Sequence, residues 1–391
     1  MSTLQNEATA PHIQPAQGTT VVDCDAHVLE PPDLWQNYLE PQFRDRAIRI
    51  ESGPDGERLV IGEVTVLEGV LAGLGGAHIP RETLFTSGLR YLDGCPPGSF
   101  DVAGRVAQMD RWGVDKAVVF PTICILPFPT ADHALANAYC RAYNTWMMEY
   151  AQALNGRIAP VAVVNWYDVD AAARELDRCL AAGFRGLFVP PEVIDGRGPG
   201  DPAFDPLWSR CQAAGVPGCL HVIVRFSAES NAFRAWHETK PGLTFGFAMG
   251  GTGQLMPAVA ALVLSGLFDR HPLLKVVSVE AGCGYAAYLM DRLDQKHRVF
   301  GVLQALGGQA LRLRPSEYFK RNLYFVAEPE ERSLDSMLDL VGEDRILWGS
   351  DFPHIDSTLA AATFINAAVA DLTPARRARV LGGNAVKVFA L

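Results

Sequence analysis

Eight short apolar runs recur along the chain, at residues 19–24, 116–121, 158–164, 185–189, 216–220, 276–279, 323–326 and 346–349. Runs of this length bounded by turn residues read as strands buried on both faces. Between them the spacing changes to that of helices. Val102, Val106, Met109 and Trp112 recur on one helical face, and Gly113 stops that helix. The same reasoning predicts helices over 132–154, 168–182, 205–214, 257–268, 283–300, 329–341 and 374–381. Asn155-Gly156, Gly183 and Gly215 close the first three of these. Strands alternating with helices give a parallel sheet of the α/β class, and eight of them fit a closed barrel better than an open sheet.

The remaining segments break this rhythm. Residues 1–18 are polar and aperiodic, a flexible N-terminal arm that includes His12. Pro31-Pro32 precedes a short helix, with Asp33 as its candidate cap. Residues 44–100 form a small insertion after the first strand, with strand-like pieces at 58–61 and 64–67, suited to a lid or a subunit contact. A long connection at 222–256 carries aromatic residues and glycines. Residues 19–391 otherwise make one barrel domain. No Gly-x-Gly-x-x-Gly follows the first strand, which weakens a dinucleotide-binding reading.

Composition narrows the class. The 391 residues are 49% apolar and 20% charged, ordinary for a soluble enzyme. The net charge of −10, with no long basic run, disfavours nucleic acid and anionic membranes as partners. It leaves room for a small anionic substrate, because a bound metal reverses the local field. No apolar stretch reads as membrane-spanning, and no secretory signal is evident. The eight cysteines are scattered without a Cys-x-x-Cys pair, as in the reduced core of a cytoplasmic protein.

Chemistry concentrates where three of the runs end. The first leads into Asp25-Ala26-His27, the fifth into His221, the last into Ser350-Asp351. Residues i and i+2 of a strand face the same side, so Asp25 and His27 can reach one ion. Taken singly, each has a bland reading: a capping Asp, a satisfied core histidine, or an ion-paired carboxylate. In a parallel barrel the C-terminal strand ends converge on one pocket. A buried lone carboxylate is costly, and a cation there relieves it.

Carboxylate-x-His on the first strand, His on the fifth and Asp on the eighth resembles the amidohydrolase superfamily. The likeness is specifically to its amidohydrolase-related (amidohydrolase 2) branch, which includes aminocarboxymuconate semialdehyde decarboxylase and the hydroxybenzoate decarboxylases. The segments 23–35, 280–294 and 348–354 carry the likeness, which extends over roughly 19–391. It implies a distorted (β/α)8 TIM barrel holding a divalent ion, commonly zinc, with Asp25, His27, His221 and Asp351 as ligands. Asp351 would also handle protons on a metal-bound water. Relatives of this branch are often dimeric. Two departures stand out. Glu280 occupies the place after the sixth strand where decarboxylases of this branch usually carry a His. The fourth strand has no lysine, so a carbamylated-lysine bridge is absent. Glu280 is then a general base, a further ligand or a bridge to a second ion, with His354 an extra ligand; its bland reading is an ion pair with Arg292.

The chain is therefore expected to be a metal-dependent hydrolase or non-oxidative, decarboxylase-like lyase. Its substrate is expected to be a small carboxylate-bearing or aromatic molecule. Catalysis falls to Asp351, Glu280 and His221. Arg225, His237 and Trp166 are candidate substrate contacts, with Phe128, Phe226 and Phe247 as aromatic lining. His78, His133, His271 and His297 fit no strand-end pattern and are read as surface or packing residues. Two other readings are carried forward: a dinuclear iron or manganese hydroxylase, and a non-catalytic barrel partnering a homologous subunit. A homodimer is the alternative assembly.

Overall fold

The computed structural model describes residues 12–15, 18–53, 56–84, 88–125, 128, 130–223, 242–306 and 310–391. The first apolar run becomes β1 (Val22–His27), so Asp25 and His27 lie within the strand rather than beyond it. The insertion supplies β2 (Arg49–Gly53), β3 (Gly56–Ile61) and β4 (Val64–Gly69), a separate antiparallel sheet. The barrel then continues with β5 (Lys116–Phe120), β6 (Ile158–Ala162), β7 (Gly186–Val189), β8 (Gly218–His221), β9 (Val276–Val279), β10 (Leu323–Ala327) and β11 (Ile346–Trp348). The eight barrel strands are parallel and adjacent in the order β1-β5-β6-β7-β8-β9-β10-β11. Helices connect them, the longest being His133–Ala153, Gly242–Leu264 and Tyr285–Leu306. With the strands buried and the helices outside, this is a nearly closed (β/α)8 barrel.

The seam between β1 and β11 is short and tight. Ala26 pairs with Phe352 just past the end of β11. His27 N donates to Phe352 O at 2.8 Å, and Asp351 N donates to Asp25 O at 2.7 Å. Gly349 permits this approach. A Cβ there would stand 2.2 Å from the Cβ of Asp25 and 2.9 Å from its backbone nitrogen. β1 also carries an irregularity between Asp23 and Ala26 in its register with β5, a bulge of the kind that re-aims side chains at barrel rims.

Several expectations change. The helix expected to begin at Pro257 begins at Gly242 and carries Pro257 inside it. Its segment Thr244–Leu264, of mean hydropathy 1.5, is long and apolar enough to cross a membrane by length and composition alone, contrary to the sequence reading. Here it lies against the barrel with Leu255, Val259, Leu262 and Val263 buried. Asp33 does not cap the following helix; its carboxylate instead accepts from Asn37 Nδ2 at 2.9 Å. Helices Pro315–Asn322 and Ala361–Ala368 have no counterpart in the sequence reading. The expected 329–341 helix shortens to Leu334–Leu340.

Candidate metal centre

Three acceptor atoms meet inside the barrel mouth. His27 Nε2 lies 3.2 Å from Asp25 Oδ1 and 3.2 Å from His221 Nε2, and His221 Nε2 is 3.5 Å from Asp25 Oδ1. All three residues are buried. Local structure fixes the tautomers. His27 Nδ1–H donates to Pro121 O at 2.7 Å, and His221 Nδ1–H donates to Val222 O at 2.8 Å. With the protons held there, both Nε2 atoms present lone pairs towards the Asp25 carboxylate. Three acceptors in mutual contact need a cation among them, and this donor set suits a divalent metal.

A second group adjoins the first. Asp351 Oδ1 lies 3.3 Å from His27 Nε2 and 2.8 Å from His354 Nδ1. Thr122 Oγ1–H donates to Val28 O at 2.7 Å, so its oxygen accepts from His354 Nε2–H at 2.8 Å. The lone pair of His354 Nδ1 therefore faces Asp351, and a proton or a cation must stand between them. Asp351 Oδ1 is buried and receives no hydrogen bond. Glu280 Oε2 lies 3.4 Å from His221 Nδ1, and Glu280, Asp351 and Asp356 bring carboxylate oxygens within 4.8 Å of one another. Glu280 (φ 63°) and Asp351 (φ 56°) both adopt the left-handed backbone conformation that non-glycine residues rarely take. That twist directs both carboxylates into the mouth. Glu280 is thus no ion-pair partner of Arg292, whose side chain is exposed.

The electrostatics follow from crowding. Burial pushes the Glu280 and Asp351 carboxyls well above the usual range; Asp356 and Asp25 add to both, Glu328 to Glu280 and Glu280 to Asp351. Burial likewise holds His354 well below its ordinary value, and His27 below its own. Asp25 differs: burial raises it, but the imidazoles of His221 and His27 against it outweigh that and keep it below the carboxylate range. Glu328, on the strand end after β10, is raised to about 7 by burial and the carboxylates around it.

Five buried groups to which the sequence reading gave no role hold this arrangement together. Asp23 Oδ1 accepts from Asp25 N at 3.2 Å and Ser350 N at 2.9 Å, and Asp23 Oδ2 accepts from Ser350 Oγ at 2.6 Å. It ties the two ligand-bearing segments across the seam. Glu30 accepts from the backbone nitrogens of Thr122, Ile123 and Cys124 at 3.1, 2.8 and 3.2 Å. This pins the turn carrying Thr122 beneath His354. Arg105 donates to His27 O and stacks over the Phe352 ring. Asp23, Glu30 and Ser350 all lie within the quoted segments, which is the signal that could have found them. Thr122 and Arg105 carry no such signal.

A cleft opens across the ends of β5 to β8. Ile125, Phe128, Trp166, Phe188, Ile194 and Ile223 make it apolar and aromatic, with Thr130, His133, Asn165 and Glu192 as polar groups. Phe188 joins it to the metal group, its ring 5.7 Å from that of His221. Trp166 and Phe128 line it, and the Trp166 indole N–H is spent on Phe188 O at 3.1 Å. His133, read as a surface or packing residue, is in its wall. Phe247 is exposed on helix Gly242–Leu264 and is not part of the lining. Arg225, Phe226 and His237 fall outside the described residues.

A parallel barrel with nitrogen and oxygen donors gathered at the ends of its first, fifth and last strands defines a metal-dependent hydrolase/lyase. The chain belongs to the amidohydrolase family, whose model matches residues 22–391. It is similar to the gamma-resorcylate decarboxylase of Polaromonas sp. (strain JS666), 29% identical over 301 residues that cover 73% of this chain and 86% of that protein. An amidohydrolase from Mycobacterium avium subsp. paratuberculosis shares the fold, with a TM-score of 0.77 at 24% identity over 96% of this chain and 100% of that one. So does a dihydroxybenzoic acid decarboxylase from Polaromonas sp. JS666 with bound manganese and the inhibitor 2-nitroresorcinol. Its TM-score is 0.63 at 21% identity, covering 95% of this chain and 97% of that one. These relatives favour the hydrolase/lyase reading over the oxygen-activating and the non-catalytic ones.

Proposed function

We propose that this chain removes carbon dioxide, without oxidation, from a small aromatic carboxylate. The observation that carries the reading is the meeting of Asp25 Oδ1, His27 Nε2 and His221 Nε2 beside an aromatic cleft. These atoms, with Asp351, would hold one divalent ion. When bound, that ion supplies a positive centre that orients the substrate's oxygens and stabilises negative charge developing on them. Manganese in a related decarboxylase and zinc, common in the family, both suit this donor set. A second ion held by Glu280, Asp351, Asp356 and His354 is the alternative stoichiometry.

The chain's own groups divide the remaining work. Phe188, Trp166 and Ile223 offer flat apolar surface to a ring and displace water from it. No Arg or Lys lines the cleft among the described residues, so a substrate carboxylate is drawn towards the metal group rather than clamped in the cleft. As the carbon–carbon bond breaks, its electron pair stays on the ring carbon. Carbon dioxide leaves, and a proton must take its place. Glu280 is placed to supply it, because burial and the neighbouring carboxylates push its carboxyl well above the usual range. The donor is then reprotonated from solvent.

The test is to load the chain with manganese or zinc, measure metal per chain, and follow carbon dioxide release from a panel of hydroxybenzoates. Hydrolysis of an amide or lactone panel with no gas release would replace decarboxylation with the hydrolytic reading. The eight free cysteines support a reducing, cytoplasmic location, which fractionation of the source cells would check.

A further inference from the structure

The cleft beside the metal group has two unlike ends. Phe188 and Ile223 form the inner end: the Phe188 ring is 5.7 Å from that of His221, and Ile223 follows His221 by two residues. The outer end lies where Thr130 and His133 lead from β5 into the outer helix His133–Ala153, with Tyr167 beside them. There the His133 and Tyr167 rings stack, their centroids 6.2 Å apart. Neighbouring strands stand about 4.8 Å apart, so the four strand ends from β5 to β8 carry the cleft roughly 14 Å along the rim. A one-ring acid held at the ion leaves the outer end empty.

Hydrogen-bonding capacity is divided in the same way. Between the ends, the indole and amide atoms are already used. Trp166 Nε1–H donates to Phe188 O at 3.1 Å, Asn165 Nδ2 donates to Asn137 Oδ1 at 3.0 Å, and Asn165 Oδ1 accepts from Tyr167 N at 3.2 Å. At the outer end, the His133 ring and the Tyr167 hydroxyl form no hydrogen bond among the described residues. Thr130 Oγ1 accepts from Asp132 N at 3.0 Å and donates to none of them. Glu192 adds negative charge to the wall, and no Arg or Lys among the described residues offsets it. A second carboxylate would therefore be repelled there, whereas a neutral hydroxyl finds partners. We propose that the substrate is an aromatic carboxylate extended by a second ring, whose far edge bears a hydroxyl bound by His133, Tyr167 and Thr130. The inference rests on the decarboxylase reading for placing the first carboxylate at the ion.

Calorimetric titration of the manganese-loaded, full-length chain tests this with salicylate, 4-phenylsalicylate, 4-(4-hydroxyphenyl)salicylate and 4-(4-carboxyphenyl)salicylate. The hydroxyl-bearing two-ring acid should bind at least about tenfold tighter than salicylate, most of the gain coming from burial of the added ring. It should bind about three- to tenfold tighter than 4-phenylsalicylate. The probe with a second carboxylate should bind more weakly than either of the other two-ring acids. His133→Ala combined with Tyr167→Phe should erase the advantage of the hydroxyl over the plain second ring. Both side chains are exposed, so the fold should survive, and a thermal melt checks that it does. Salicylate binding as tightly as the two-ring acids would overturn the proposal, as would a hydroxyl advantage that outlasts both substitutions, or no binding of any two-ring acid. Carbon dioxide release separates this inference from the reaction it rests on. Two-ring acids that bind in the expected order but keep their carboxylate would sink decarboxylation and leave the selectivity of the cleft standing. Release from salicylate with no preference for length would sink the selectivity alone.

Discussion

At the scale of single residues, the site is built from atoms whose protons are accounted for by neighbours. The Nδ1 protons of His27 and His221 are bound to backbone carbonyls, so only Nε2 is left for a cation. Removing one ligand should therefore remove the metal. His221→Ala should purify with little metal by elemental analysis and lose activity by about 100-fold or more, beyond what loss of a supporting contact costs. Glu280→Gln should behave differently. It keeps the shape of the side chain and removes its proton donor, so metal content should stay while kcat falls by about 10²–10⁴-fold. Equal metal loss in both variants would make Glu280 a ligand instead. Asp25, His27, His221 and Asp351 were legible because each sits at the end of an apolar run, where chain direction alone fixes the place of a side chain. Thr122 was not legible. Its part depends on a hydrogen bond to a residue 232 positions away, and nothing in a turn of ordinary composition announces that.

At the scale of elements, the seam between β1 and β11 matters most. Asp23→Asn keeps the size of the side chain but loses an acceptor for Ser350, and should weaken metal binding by about 10–100-fold in a metal-buffered titration of the folded chain. Gly349→Ala would drive a methyl into Asp25, and should cost about 1–3 kcal/mol of stability in denaturant melts, or more if the strands cannot part. The turn after β5 gives a pH test. Glu30 is raised to about 7 by burial, despite the backbone hydrogen bonds it accepts. The folded chain then holds this proton more tightly than the unfolded one. Its contribution to stability is complete below the ordinary glutamate range and is lost as pH rises through about 7. Melting temperature of the metal-free chain should accordingly fall between pH 5 and 8, and Glu30→Gln should make that fall shallower. Elements themselves were read with uneven success. Strands and the helices stopped by Gly113 and Gly215 followed from pattern, since both glycines take the left-handed conformation that ends a helix (φ 72° and 69°). The helix through Pro257 did not, because a proline usually marks a helix start and here the apolar stretch before it continues the turn.

At the scale of the molecule, the barrel was legible because eight apolar runs separated by helical spacing admit few arrangements. The insertion was legible only as an interruption. Its three-stranded sheet and the small cluster of Ala72, Leu84 and Ile355 depend on contacts between segments far apart in the chain. That cluster sets the insertion against Ile355, the residue following His354. Replacing Leu84 with Ala should loosen this contact, costing about 2–5 kcal/mol if the site cannot collapse, and protease cleavage within 70–95 should quicken before the barrel melts. The seam has one more consequence. Asp23 and Ser350 are separated by 327 residues yet share hydrogen bonds. A donor set that includes Asp351 is therefore complete only once the last barrel strand has docked against the first, so the tightest metal binding should follow closure of the barrel.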